Sequence, residues 1–331
     1  MTTPSFANDP RAQSAYDWAC AQLGRQDLTI APASADASFR RYFRLSAAGQ
    51  SWVLMDAPPD KENCEPFIHI AGLVRDAGLN GPIVHAQNLA QGFLLLSDLG
   101  TQTYLHVINV ANAQELFTPA ITALIRWQLS SKADELPPYD EALLRRELAL
   151  FPDWYVAKHL QRELTPAQLA LLRGAEDVLV TRALAQPKVY VHRDYMPRNL
   201  MISTPNPGIL DFQDAVFGPI TYDVASLFKD AFLSWPEQRV RAWVTQYWAE
   251  ARAAGLPLDD DFEIFFRDFE LMGVQRHLKV LGIFARINYR DGKPHYLADT
   301  PRFIRYVREV AARHSELSGL VQLFDELELR A

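Results

Sequence analysis

The stretch that decides the fold is Val189-Tyr190-Val191-His192-Arg193-Asp194-Tyr195-Met196-Pro197-Arg198-Asn199-Leu200-Met201-Ile202, followed by Gly208-Ile209-Leu210-Asp211-Phe212-Gln213. Short β-branched and apolar runs flank a polar loop, the pattern of strands around a turn. An aspartate opening such a loop can orient a hydroxyl group and accept its proton. An asparagine five residues later can turn its amide oxygen to a metal, and Asp211, at the end of a further apolar strand, can bridge a hard cation that takes oxygen ligands. Alone, Asp194 reads as a loop cap. The joint spacing of His192, Arg193, Asp194 and Asn199, with a hairpin leading to Asp211, selects the chemical reading.

That spacing is H-R-D-x-x-x-x-N, the catalytic-loop pattern of protein kinases. It predicts phosphoryl transfer, with Asp194 as base and Asn199 and Asp211 as ligands of Mg²⁺. His192 is expected to be a hydrogen-bonded scaffold residue, and Arg193 to brace carboxylates such as Asp223. Other phosphate motifs are missing: there is no G-x-x-x-x-G-K-[ST], no G-x-G among the 15 glycines, and no H-E-x-x-H. Asp211 does not lead to an activation segment ending in A-P-E. Gly218-Pro219-Ile220-Thr221-Tyr222-Asp223 enters a helix within a few residues, which removes the platform for a protein substrate and points to a small-molecule acceptor.

Upstream, Pro10 to Leu23 reads as a helix, with Asp9 as N-cap and Pro10 in its first turn. Leu28 to Pro32, Phe39 to Leu45, Trp52 to Met55, Ile83 to His85 and Gly92 to Leu96 read as strands, and Cys64 to Ala77 as a helix ended by Gly78. From about Ala111 the chain reads as mostly helical. Thr165, Pro166 and Gln168 mark a capped helix start. Further helices are expected at Glu237 to Ala254, Phe262 to Arg286 and Pro301 to Leu327. The fold class expected is α+β: a two-lobed protein-kinase-like fold with a small antiparallel-sheet lobe (1–100, nucleotide-binding, with a leading helix) and a larger helical lobe (101–331, catalytic and substrate-binding).

Composition narrows the partners. A chain of 331 residues with 49% hydrophobic and 22% charged residues has enough material for two sizeable cores. Its formal net charge of -7 argues against a nucleic-acid backbone as partner, because phosphate contacts need clustered Lys and Arg. Two cysteines, Cys20 and Cys64, are too few for a disulfide scaffold or a multi-cysteine zinc site. Met1 to Arg11 shows no signal peptide and no apolar run reaches membrane-spanning length, so a cytoplasmic protein is expected.

On these motifs the sequence resembles the aminoglycoside phosphotransferase and choline kinase superfamily. Asp36-Ala37-Ser38-Phe39-Arg40-Arg41-Tyr42-Phe43-Arg44, Met55-Asp56-Ala57-Pro58-Pro59, Leu94-Leu95-Leu96-Ser97-Asp98-Leu99-Gly100 and Asp211 to Asp223 are most similar to a bacterial branch of it. That branch contains the anomeric N-acetylmuramate/N-acetylglucosamine kinases of cell-wall recycling, and the resemblance runs from about Ala15 to Val310. It implies ATP and Mg²⁺ as cofactors and an amino sugar as acceptor. It also implies that Asp36, Ala37 and Ser38 form a tight turn over the phosphates, and that Leu96 to Leu99 form a hinge offering the backbone of Asp98 and Leu99 to adenine. Met201 and Leu210 would line the adenine from below; ordinary core packing is compatible with that role.

One departure stands out. The third strand of such proteins carries a lysine that pairs with the α/β-phosphates, and here the position is Met55, which has no donor. Arg40, Arg41 and Arg44 on the second strand, or Lys61, could replace it; strand alternation puts Arg40 and Arg44 on one face and Arg41 on the other. For the acceptor, Arg276, His277 and Lys279 on the Phe262 to Arg286 helix could form a cationic wall for a carboxylate, with a solvated charged face as the alternative. An aminoglycoside or amino-alcohol kinase, and a pseudokinase without turnover, are the rival functions. The first needs converging carboxylates; the second is disfavoured by the retained Asp194, Asn199 and Asp211.

Overall fold

The computed structural model describes residues 9–34 and 39–330. In chain order the elements are α1 (Pro10–Leu23), β1 (Thr29–Ser34), β2 (Arg41–Ala47), β3 (Gln50–Asp56), α2 (Glu65–Asp76), β4 (Val84–Asn88), β5 (Phe93–Ser97), α3 (Tyr104–Val107), α4 (Ala113–Leu129) and α5 (Glu141–Leu148). A π-helical segment (Phe151–His159) precedes α6 (Pro166–Ala185), β6 (Lys188–Val191), β7 (Leu200–Met201), β8 (Gly208–Ile209), β9 (Val216–Pro219) and α7 (Thr221–Phe228). The chain continues with α8 (Glu237–Ala253), α9 (Phe262–Asp291), α10 (Thr300–Ala311) and α11 (Ser318–Glu326). Two compact units result: one runs up to Ala123 and includes Arg198–Asp214, the other comprises Leu124–Pro197 and the chain from Ala215 onward.

The first unit is built on an antiparallel five-stranded sheet in the order β1-β2-β3-β5-β4. Its leading helix starts where the sequence places it: the Asp9 side chain accepts the Ala12 N–H at 3.0 Å, and Gly24 ends the helix at φ +62°, a conformation that costs glycine little. Ala15, Tyr16, Ala19 and Cys20 of α1 pack on Leu45, Leu54, Phe93 and Leu95, which share one sheet face by the two-residue strand period. The alternate residues, Val53 and Leu96 among them, turn to the other face. The β7–β8 hairpin belongs to this unit, where Ile202 N–H donates to the Gln102 carbonyl and Ile209 N–H to that of Asn80, both at 2.8 Å.

The second unit is helical, apart from the antiparallel pair β6–β9. Its longest helix, α9, is capped by the Asp261 side chain and packs against α7, α10, α6 and the π-helical segment. Thr165 and Gln168 exchange the reciprocal bonds of a capping box at the start of α6. Gly282 lets α9 touch the backbone before the π-helical segment: a Cβ there would lie 2.3 Å from the Leu150 carbonyl oxygen. Gly282→Ala is therefore expected to destabilise the protein by about 1–3 kcal/mol, the usual range for overpacking a core, readable as a lowered denaturant midpoint.

Two expectations need correction. The helix expected over Pro301 to Leu327 is broken, because the chain turns after Ala311 and His314 leaves helical geometry at φ −115°, ψ 105°. Arg313 and His314 use that turn to reach buried Glu270, with His314 Nε2 at 2.8 Å. An ion-paired anchor replaces helical continuity. In turn, α9 runs past Arg286 to Asp291 before Gly292, at φ +68°, ends it. The π-helical segment was not legible from its residue pattern. Among the described residues, no helix is long and apolar enough to cross a membrane.

Candidate active site

In the first unit, Arg44, Leu96, Asp98, Leu99, Asn199, Met201, Leu210 and Asp211, eight of the residues singled out in the sequence, line one cavity of about 430 Å³. Val53 and Phe67 add apolar wall. Asp36, Ala37 and Ser38 lie outside the described residues.

The arginines of β2 separate cleanly. Arg44 grips Asp98 through Nε at 2.6 Å and Nη2 at 3.0 Å, and Nη2 also donates to the Gly100 carbonyl at 2.6 Å. Burial alone would raise the Asp98 carboxyl, but Arg44 and the Gly100 N–H outweigh it and hold it below the ordinary range. Arg41 faces the other way and bridges Asp9 and Asp56 beside α1, so it does not line the cavity. Arg40 pairs with Glu62 at 3.0 Å and is only 12% exposed. Met55 is fully buried in register with Tyr42 and Leu94, while Lys61 is exposed beside Asp60.

Asn199 and Asp211 are brought together by the β7–β8 hairpin. Leu210 N–H donates to the Asn199 carbonyl at 3.0 Å, and Asn199 Nδ2 stands 3.2 Å from Asp211 Oδ2. Gln213 Nε2 donates to Asp211 Oδ1 at 3.0 Å, a contact the sequence reading missed; its only signal is the polar residue two positions after Asp211. Asp211 sits at φ +63°, a conformation that non-glycine residues hold mainly where the surroundings or a function demand it. A half-turn of the Asn199 amide presents its oxygen beside the carboxylate. Two hard oxygen donors on an exposed rim suit Mg²⁺, which is held by one or two protein groups and fills its shell with water and phosphate oxygens. Among the described residues there is no cluster of three or more His, Cys, Asp or Glu that would favour a closed metal site instead.

Asp194 belongs to the second unit and follows β6. The turn that carries it is fixed through its backbone: buried Asp223 accepts the N–H of His192 at 2.6 Å and of Arg193 at 2.9 Å. Burial raises the Asp223 carboxyl to about 7, against the pull of those two N–H groups. The Asp194 N–H donates to His192 Nδ1 at 3.3 Å, and the imidazole packs edge-on against Tyr195. Arg193 meets Asp223 through its backbone N–H, and its guanidinium reaches another carboxylate, Glu147, Nη2 to Oε1 at 2.5 Å. Arg193 adopts φ +75° to do both.

Neither alternative offered for α9, a cationic wall or a solvated face, describes what is seen there. Arg276, His277 and Lys279 are 2%, 1% and 8% exposed. His277 Nε2 lies 3.3 Å from the Lys229 carbonyl, and its ring packs on Phe303 and Tyr306. Arg276 Nη1 points to the same carbonyl. Lys279 pairs with Glu147 at 2.7 Å and donates to the Tyr222 hydroxyl at 2.9 Å. A sugar touching these groups directly would have to displace interior bonds.

Residues 29–259 match the phosphotransferase enzyme family. The chain is 58% identical over 303 residues to the N-acetylmuramate/N-acetylglucosamine kinase of Pseudomonas putida, covering 92% of this chain and 89% of that protein. It is 59% identical over 298 residues to the protein of the same name from Pseudomonas aeruginosa, covering 90% and 88%. Among solved structures, ADP-bound aminoglycoside phosphotransferase APH(2'')-Ib superposes with a TM-score of 0.59 at 12% identity, over 90% of this chain and 98% of that one, a likeness of fold.

Proposed function

The chain belongs to the phosphotransferase enzyme family, and on that footing we propose that it transfers the γ-phosphate of ATP to the anomeric hydroxyl of N-acetylmuramate or N-acetylglucosamine. The observation that carries the substrate is the identity, sustained along nine-tenths of the chain, to two proteins bearing that name. A protein that spends ATP on recycled wall sugars works in the cytoplasm, where both are found.

In this reading residues 1–100, together with the Arg198–Asp214 hairpin of the same unit, bind the nucleotide, and the rest of 101–331 supplies catalysis and the acceptor site. Leu96, Met201 and Leu210 take the adenine, the backbone of Asp98 and Leu99 meets its edge, and Asp36, Ala37 and Ser38 turn over the phosphates. Asn199 and Asp211 would hold Mg²⁺, which draws charge from the phosphate oxygens when bound. Asp194 orients the sugar hydroxyl and takes its proton as the oxygen attacks phosphorus and the bond to ADP breaks. An anomeric hydroxyl is more acidic than an ordinary alcohol, so a carboxylate is base enough. His192 and Asp223 keep the turn in shape. An ADP-release assay over a panel of amino sugars, aminoglycosides and amino alcohols tests this: turnover confined to the last two classes overturns it.

Of the cations offered for the missing lysine, Arg40 suits the task best. It flanks the phosphate turn, shares the strand parity of cavity-lining Arg44, and is held by Glu62. Arg44 is committed to Asp98 and Gly100, and Arg41 to the far face. Arg40→Ala is expected to raise the KM for ATP several-fold, with Arg41→Ala leaving it within about twofold; steady-state kinetics at saturating sugar reads both.

A further inference from the structure

Behind the Asp194 turn lies a buried polar cluster that the reaction as described does not use. Glu147, at the end of α5 and 5% exposed, is its hub. One carboxylate oxygen, Oε1, meets Arg193 Nη2 at 2.5 Å and Lys279 Nζ at 2.7 Å. The other, Oε2, accepts from the Tyr139 hydroxyl and faces Gln275 Nε2 at 3.3 Å. Four partners from three separate stretches of chain, two of them one turn apart on α9, converge on a single carboxylate. Lys279 in turn binds the Tyr222 hydroxyl, and Tyr222 directly precedes Asp223.

The turn is therefore held twice. Asp223 takes the backbone N–H groups of His192 and Arg193. Glu147 takes the Arg193 side chain, and Arg193 sits at φ +75°, a strained conformation for a residue with a Cβ that persists only where its surroundings over-determine it. The peptide between Arg193 and Asp194 meets two long bonds, its carbonyl accepting from Ser226 Oγ at 3.4 Å and its N–H donating to His192 Nδ1 at 3.3 Å, which leave its rotation to be tightened from the side chain. The Arg193 guanidinium, held at Nη2 by Glu147, supplies that constraint.

We propose that Glu147 is a positioning residue for phosphoryl transfer: by clamping Arg193 from inside the helical unit, it fixes the turn that presents Asp194. The clamp is built from interior groups that are always present, so the turn needs no added phosphate or partner to order it. The proposal rests on the reading of Asp194 as the base, and it goes beyond that reading in assigning the control of the turn to Glu147.

The test uses Glu147→Gln/Lys279→Met, which removes one negative and one positive charge and so keeps the balance of the cluster, together with Arg193→Met and the triple variant. Hydrogen exchange by mass spectrometry on peptides covering 190–197 reads the turn without needing any substrate. Faster exchange of these amides in both variants, while peptides of α8 and α11 exchange as in the wild type, supports the clamp; unchanged exchange in Arg193→Met overturns it. Kinetics give the second reading: kcat should fall at least tenfold in each variant, the KM for ATP should stay within about twofold, and the triple variant should lose little more, as residues acting through one another do. A folded Arg193→Met that keeps kcat within twofold sinks the proposal even if the Glu147 variant does not fold. A wild-type protein without sugar kinase activity but with the expected exchange pattern would refute the proposed function and leave the clamp standing.

Discussion

Asp194→Ala is expected to lower kcat for sugar phosphorylation by about 10²–10⁴-fold, the span a positioned general base contributes, with the affinity for ATP unchanged within about twofold. The split follows from where the residues sit. The cavity-lining groups belong to the unit built on the five-stranded sheet, and Asp194 belongs to the helical unit. Truncating it removes no group from the cavity that includes Leu96, Met201 and Leu210. Asp194→Asn should behave alike, because an amide keeps the shape but cannot take the proton. Single-turnover phosphoryl transfer, with isothermal titration of a non-hydrolysable ATP analogue, separates the two parameters. A variant that loses ATP affinity and keeps its turnover would place Asp194 in nucleotide binding instead.

Glu147→Ala is expected to cost about 3–5 kcal/mol of stability, the range seen when one partner of a buried ion pair is removed. Two cations, Arg193 and Lys279, would then lose the carboxylate they share in the interior. The pH dependence has a definite sign. Burial would raise the Glu147 carboxyl, but Lys279 and Arg193 more than reverse this and hold it at about 2, against an ordinary value of 4.5. A depressed carboxyl stabilises the fold fully above its unfolded value, and that contribution drains away as pH falls from about 4.5 toward 2. Over this window the midpoint of thermal unfolding should fall more steeply for the wild type than for Glu147→Ala, so the two curves converge in acid. Parallel curves would mean that Glu147 is not ionised in the folded protein.

Much of the candidate site was legible because its chemistry dictates residue types at short spacings. His192, Asp194 and Asn199 lie on one loop, and the strand to Asp211 lies on the next hairpin, so a local pattern holds most of the information. The ends of α1 and α6 were equally plain, since Asp9, Pro10, Thr165 and Gln168 act on backbone groups within one turn of themselves. What escaped was nonlocal. Glu147 sits in Arg145-Arg146-Glu147-Leu148, which reads as an ordinary charged helix end; its partners Tyr139, Arg193, Gln275 and Lys279 are gathered only by packing. The same blindness left the Glu147 partner of Arg193 unread, because a sequence does not show which carboxylate meets the side chain and which, like Asp223, meets the N–H. The late cations misled for a related reason. Charged residues at helical spacing suggest an exposed face, and only the tertiary structure shows Arg276 and Lys279 buried among Lys229, Glu147 and Tyr222. The break between α10 and α11 depends on Glu270, more than forty residues upstream.

The most direct measurement for the whole account is the structure of the product. Purified protein incubated with ATP, Mg²⁺ and N-acetylmuramate, and separately with N-acetylglucosamine, should yield a sugar phosphate in which phosphorus couples to the anomeric proton by nuclear magnetic resonance, and Asp194→Ala should yield about a hundredfold less or lower still in the same time. A phosphate on another hydroxyl, or the same product formed undiminished by Asp194→Ala, would contradict it.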